Sequence, residues 1–234
     1  MLEIADLHSY YGDAHVLHGV NLHVKHGEIV AVLGRNGMGK TSLLRSLMGL
    51  SSPQVGAGTI RYSHRDLVGI GPCRITAAGV GYVPQGRRLF PSLTVLEHLT
   101  MLLPSQGKKK WKVAELLELF PRLAERLQHR AGQLSGGERQ MLAIARALAT
   151  GATMLLMDEP SEGLAPVIVQ HLERVLLNLK ADGYGILLVE QNLNSALTVA
   201  DRIYVIESGS VVLECSREQA QLDKGLVHKY LSVH

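Results

Sequence analysis

An apolar run, Glu28-Ile29-Val30-Ala31-Val32-Leu33, passes without a gap into Gly34-Arg35-Asn36-Gly37-Met38-Gly39-Lys40-Thr41. Leu43, Leu44, Leu47 and Met48 then recur at helical spacing until Gly49 offers a stop. A buried strand, a glycine loop and a helix in immediate succession leave few folds open. The middle segment fits the phosphate-loop pattern G-x-x-x-x-G-K-S/T, and its flanks are what such a loop requires. A triphosphate is highly anionic and needs backbone N–H groups and a cation close to it. Gly34, Gly37 and Gly39 let the backbone curl around phosphates, and the following helix aims its dipole at them. Lys40 would reach the β- and γ-phosphates, and the Thr41 hydroxyl would ligate Mg²⁺. Arg35, Asn36, Met38 and Ser42 complete the segment that would surround the nucleotide.

The rest of the chain fits an α/β reading. Residues 2–33 read as strands broken by Gly12, Gly19 and Gly27, and residues 53–84 carry Pro and Gly around short apolar runs. From 94 to 149 the periodicity is helical. Leu116, Leu117, Phe120, Leu123 and Leu127 form one stripe that Pro121 divides, and Met141, Leu142, Ala145 and Leu148 form another. From 153 onward strands and helices alternate: Met154–Met157, a helix opened by Pro166, Ile186–Val189, a helix through Leu193, and Ile203–Ile206. Ser216 and Gln219 read as a capping box for a terminal helix. Such alternation predicts a mostly parallel sheet between helices.

Composition excludes several classes. A net charge of +3 gives no argument for nucleic acid. Two cysteines, Cys73 and Cys215, provide no disulfide framework and suit a reducing compartment. No apolar stretch approaches the roughly 20 residues needed to cross a bilayer. The first residues, Met1-Leu2-Glu3-Ile4-Ala5-Asp6, carry acids where a signal peptide carries bases. The chain therefore reads as soluble and intracellular. His15, His18, His23 and His26 have no cysteine beside them and argue weakly for metal. The dense basic run Lys108-Lys109-Lys110-Trp111-Lys112 reads as a solvated loop before a helix, with contact to anionic lipid as the other possibility.

Two further motifs follow the phosphate loop in a fixed order. Leu134-Ser135-Gly136-Gly137-Glu138 opens a helix, so that Ser135 and the Gly136 and Gly137 amides present an anion-binding N-terminus. Met154-Leu155-Leu156-Met157-Asp158-Glu159-Pro160 is an apolar strand ending in two carboxylates. The three motifs together resemble the ATPase subunits of ATP-binding cassette (ABC) transporters, over nearly the whole chain. The resemblance implies a single domain spanning 1–234. Residues 1–86 and 150–234 would form the nucleotide-binding core with an N-terminal antiparallel β subdomain, and 87–149 an inserted helical subdomain. It implies ATP and Mg²⁺ as ligands, Asp158 as a metal ligand with Thr41, and Glu159 as general base for the attacking water. Gln85, after Pro84, matches the glutamine that contacts Mg²⁺ or the lytic water. Tyr11 lies where the family stacks an aromatic ring on adenine, although Tyr10 could be the one used. The signature would cap the γ-phosphate held by a facing subunit in a head-to-tail dimer.

Two departures from the family pattern stand out. Gln191, in Leu188-Val189-Glu190-Gln191-Asn192, occupies the place of a histidine that contacts the γ-phosphate, and Ala165 stands where many relatives have aspartate. With Pro84–Phe90, Leu119–Leu123 and Glu162–Pro166, these residues resemble the branched-chain amino acid branch, which includes urea and amide importers. The chain is similar to the shorter of its two ATPases. That branch implies a second, different ATPase, two transmembrane permeases and a solute-binding protein, with this subunit on the cytoplasmic face of a prokaryotic inner membrane and no nucleic acid as partner. An exporter ATPase, for instance for lipid, would have the same fold. Non-transport ABC proteins usually carry two cassettes or a coiled-coil insertion, and a small-molecule kinase would leave the signature without a purpose.

Overall fold

A computed structural model describes residues 1–102 and 111–231. Three of the five residues in the basic run, Lys108–Lys110, lie outside the described residues; Trp111 donates to the Tyr184 hydroxyl at 2.9 Å.

In chain order the elements begin with β1 (Leu2–Tyr11), β2 (Ala14–Val24), β3 (Ile29–Leu33) and α1 (Lys40–Leu47). Then come β4 (Gln54–Tyr62), β5 (Arg65–Asp66), α2 (Pro72–Ala78) and β6 (Val80–Val83). Four helices follow: α3 (Val95–Thr100), α4 (Val113–Leu119), α5 (Pro121–Ala124) and α6 (Gly136–Ala149). The remainder is β7 (Met154–Asp158), α7 (Pro166–Ala181), β8 (Gly185–Glu190), α8 (Leu193–Val199), β9 (Arg202–Glu207), β10 (Ser210–Ser216), α9 (Arg217–Leu222) and α10 (Lys224–Leu231).

Two sheets result. Strands β2-β1-β4-β5 form an antiparallel sheet, and a six-stranded sheet runs β10-β9-β3-β8-β7-β6. The second is parallel from β9 to β6, with β10 alone antiparallel. Its central strands are apolar up to their last residues because both faces are covered. Ile29, Ala31 and Leu33 of β3 face a core that includes Leu142 and Leu148 of α6 and Leu172 and Leu176 of α7. Val30 and Val32 face the opposite core, with Leu43 and Leu47 of α1 and Leu7 and Leu17 of the antiparallel sheet.

Most residues of the helical stripes are buried, with Leu117 and Leu127 partly buried against the same core. Leu116, Phe120 and Leu123 are fully buried, and Pro121 separates α4 from α5. Ser216 and Gln219 form the capping box of α9. Three local expectations change. Gly19 does not end a strand: β2 runs through it, with Gly19 at φ +69 beside shifts in the β1–β2 register, so a β-bulge absorbs it. The segment 53–84 contains α2, started by Pro72 at its first turn and stopped by Gly79 at φ +118. A last strand, β10, pairs with β9 across the Ser208-Gly209 turn.

Candidate nucleotide site

Strands β3, β7 and β8 are neighbours in the parallel sheet, so their C-terminal ends meet at one edge. That edge carries the glycine loop, the Asp158-Glu159 pair and Gln191. Ligands of open parallel sheets bind at this end of the strands. The loop needs glycine for specific reasons. A Cβ on Gly34 would lie 2.5 Å from the Ile206 carbonyl oxygen, and Gly39 adopts φ +104 against Leu17 and Val16. The Ser208-Gly209 turn braces the loop: Gly209 N donates to Met38 O at 3.0 Å, and Ser208 N lies 3.3 Å from Met38 Sδ. Asn36 is exposed at the loop's tip.

Lys40, only 4 % exposed, donates to Gly34 O at 2.8 Å and Arg35 O at 3.0 Å. Its ammonium is also 3.5 Å from Glu159 Oε1. Thr41 Oγ1 donates to Asp158 Oδ1 at 3.1 Å. The other Asp158 oxygen, Oδ2, is buried with no hydrogen-bond partner among the described residues. Burial pushes the Asp158 carboxyl above its ordinary range, opposed by the Thr41 bond, while the nearby Glu159 charge adds to the rise. Burial and the Asp158 charge likewise raise the Tyr82 phenol. A buried carboxylate oxygen without a donor, beside a hydroxyl, suits a hard divalent cation held by oxygen ligands.

Glu159 is the hub of the site. Gln191 Nε2 donates to both its oxygens at 2.8 Å, and Gln85 Nε2 donates to Oε2 at 3.2 Å. Gln85 Nε2 also reaches Glu162 Oε2 at 2.9 Å. Glu159 has φ +48, a left-handed conformation uncommon outside glycine, fixed by its amide donating to Val189 O at 2.9 Å. The turn leaves the carboxylate within 3.5 Å of the Lys40 ammonium of the loop.

Tyr10 and Tyr11 separate to different surroundings. Ser42 Oγ donates to the Tyr11 hydroxyl at 3.3 Å, which sets that ring beside the start of α1. Tyr10 stacks on His15 with centroids 4.3 Å apart and covers Gly56. His8, His15 and His18 also touch ring to ring.

Ser135 caps α6. Its hydroxyl accepts from Glu138 N at 3.2 Å, and Glu138 Oε2 accepts from Ser135 N at 2.7 Å. Burial pushes the Glu138 carboxyl up, but hydrogen bonds to it from the Ser135 amide and hydroxyl, with Arg126 nearby, outweigh that and hold it below its ordinary range. Gly137 is glycine because α7 lies against it: a Cβ there would sit 3.1 Å from Ile168. Arg87 lies over Gly136 and donates to Glu162 O at 3.4 Å, so the stretch after Gln85 touches both the signature and the segment after Glu159.

Two participants escape sequence reasoning. Glu162 was visible only as part of a run, and its contact with Gln85 spans 77 positions. Glu190, only 4 % exposed, accepts from Ser161 N at 3.2 Å through Oε1. An acid closing an otherwise apolar strand was the available signal.

Comparison with known proteins matches residues 17–162 to the family described as ABC transporter. The chain is 46% identical over 215 residues to a high-affinity branched-chain amino acid transport ATP-binding protein, BraG, of Pseudomonas aeruginosa, covering 91% of each. It is 37% identical to a probable branched-chain amino acid transport ATP-binding protein, LivF, of Archaeoglobus fulgidus, covering 90% of each. The lipopolysaccharide export ATP-binding protein LptB of Haemophilus influenzae is 32% identical, covering 99% of this chain and 97% of its own. Among solved structures, a nucleotide-free cassette from an ABC transporter superposes with TM-score 0.86 at 26% identity, covering 100% of this chain and 99% of that one. A dimeric bacterial ABC transporter cassette superposes with TM-score 0.80 at 27% identity, covering 93% and 99%.

Proposed function

The chain belongs to the ABC transporter family as an ATP-hydrolysing subunit, and from that premise we propose that it powers import of branched-chain amino acids or a related amino acid or amide. The observation that supports the chemistry is the convergence of Lys40, Gln85 and Gln191 on Glu159, beside Asp158 and the phosphate loop. The solute class rests on the likeness to the P. aeruginosa and A. fulgidus proteins.

In this reading the glycine-loop amides and Lys40 hold the triphosphate, and Tyr11 stacks on adenine. Thr41, Asp158 and Gln85 would hold Mg²⁺, which would neutralise charge on the bound phosphates. Glu159 accepts the proton of the attacking water, while Gln85 and Gln191 orient the carboxylate and the water by hydrogen bonds. Gln191 donates a hydrogen bond where an imidazole would also carry charge. Ser135, Gly136 and Gly137 cap the γ-phosphate of a facing ATPase subunit, which makes turnover a property of the pair. Residues 87–149 act as the helical unit that couples to two permeases, and 1–86 with 150–234 as the nucleotide core. The second ATPase is a different chain, a solute-binding protein delivers the solute, and this subunit sits on the cytoplasmic face of the membrane.

Affinity purification of the full chain from detergent-solubilised native membranes, with mass spectrometry of what accompanies it, tests the assembly. Two permeases with a second ATPase and a solute-binding protein are expected. Export machinery in their place would move the assignment toward the activity named for the H. influenzae relative. Ribosomes or DNA would end the transporter reading.

A further inference from the structure

Glu190 is the last residue of β8, directly before Gln191. It is buried in the sheet edge, a costly position for a carboxylate unless it is hydrogen-bonded. Its Oε1 accepts from Ser161 N, two residues after Glu159 on the neighbouring strand's exit loop. Burial raises its pKa most; hydrogen bonding by the Ser161 hydroxyl and by the Ser161 and Gln191 amides opposes that rise, and the Glu159 charge adds to it. One carboxyl group therefore meets the loops leaving both β7 and β8. The backbone bond from Glu159 N to Val189 O is a second crosslink between the ends of β7 and β8.

We propose that Glu190 is a positioning residue that ties Ser161 to the end of β8, and so holds the Gln191 carboxamide on Glu159. The effect runs through two neighbours. Fixing Ser161 fixes the turn in which Glu162 N donates to Glu159 O at 3.2 Å, and Glu162 in turn holds Gln85. Fixing the start of the 191 loop keeps Gln191 Nε2 within 2.8 Å of both Glu159 oxygens. An apolar side chain at 190 would leave the Ser161 amide without its acceptor and let both glutamines leave the base. A glutamine at 190 would supply a carbonyl acceptor of the same reach.

The inference rests on Glu159 as the base. The test compares steady-state ATP turnover of the full chain, in its membrane-extracted complex, for Glu190→Leu, Glu190→Gln, Gln191→Ala and Glu159→Gln. Glu190→Leu is expected to lower kcat by about 10- to 100-fold, as small misplacements of catalytic groups do. KM should stay unchanged, since the phosphate loop is untouched, and Glu190→Gln should restore most of the loss. The double variant Glu190→Leu/Gln191→Ala should lose less than the product of the two single losses, because part of the Glu190 effect runs through Gln191. Hydrogen exchange on the isolated full chain should show residues 159–165 losing protection in Glu190→Leu and regaining it in Glu190→Gln. Normal kcat in Glu190→Leu, or multiplicative losses in the double variant, would overturn the proposal. If Glu159→Gln is inactive while Glu190→Leu is normal, the positioning role alone falls. If Glu159→Gln turns over normally, the base assignment falls.

Discussion

Gln191 bridges the two oxygens of Glu159 with one amide nitrogen, at 2.8 Å to each. A neutral donor orients the carboxylate by hydrogen bonds without bringing a charge beside it. Lys40, 3.5 Å away, is the cation of this pair until a triphosphate competes for it. Replacing Glu159 by Gln keeps the shape and removes the basicity. Turnover should fall by about 10²- to 10⁴-fold, the usual contribution of a positioned base, with nucleotide affinity retained. ATPase assay beside isothermal titration checks it; normal turnover would end the assignment of the base.

Lys40→Ala removes the charge that the phosphates would meet. Hydrogen bonds to charged groups contribute about 1.5–3 kcal/mol, so the ATP Kd should rise about 10- to 100-fold. Titration of the purified chain with a fluorescent nucleotide measures this, and an unchanged Kd would contradict the role of the loop.

The two adjacent tyrosines should part company. Tyr11→Ala should weaken ATP binding by about 1–3 kcal/mol, the scale of base stacking on an aromatic ring. Tyr10→Ala should leave nucleotide affinity alone and lower thermal stability instead, because that ring packs on His15 and Gly56. Equal losses of affinity in both variants would contradict the separation.

Ser135→Ala should cost about 1 kcal/mol of stability by removing the cap of α6. In the isolated chain it should not alter the ATP Kd, since the signature is proposed to serve the facing subunit's nucleotide. A large change in the monomer's Kd would place the signature on the chain's own site.

Glu190 also makes a prediction about pH. Its carboxyl is raised in the folded chain, chiefly by burial. The native state then holds this proton more tightly than the unfolded state. Stability is accordingly lost as pH rises from the ordinary carboxylate range through the raised native value, and it is favoured below that window. Glu190→Gln removes this contribution. The gap in melting temperature between variant and parent should therefore shift in the variant's favour as pH increases from 4 to 8. A gap independent of pH would contradict the direction of the shift.

Much of this was legible in the chain because its physics is local. Periodicity locates α6 and α7, Pro121 divides α4 from α5, and the glycine spacing of 34, 37 and 39 marks the loop, since each depends on neighbours within a few residues. What escaped were short elements and long-range partners. The helix α2 carries one fully buried side chain, Ile75, and so gives little periodic signal. Strand β10 alternates weakly, with Cys215 its one buried residue, and exists because β9 offers it an edge.

The sequence by itself determined an α/β chain with a phosphate loop, a capped signature helix and paired carboxylates, because strand, loop and cap chemistry is written in adjacent residues. Only the tertiary structure decided which side chains meet. The order β3-β8-β7-β6 brings residues 40, 191, 159 and 85 together, and Glu159 takes a left-handed turn among them. It also separates Tyr10 from Tyr11 and makes a buried acid of Glu190. Those relationships depend on strand order and backbone dihedral angles, which no spacing along the chain encodes.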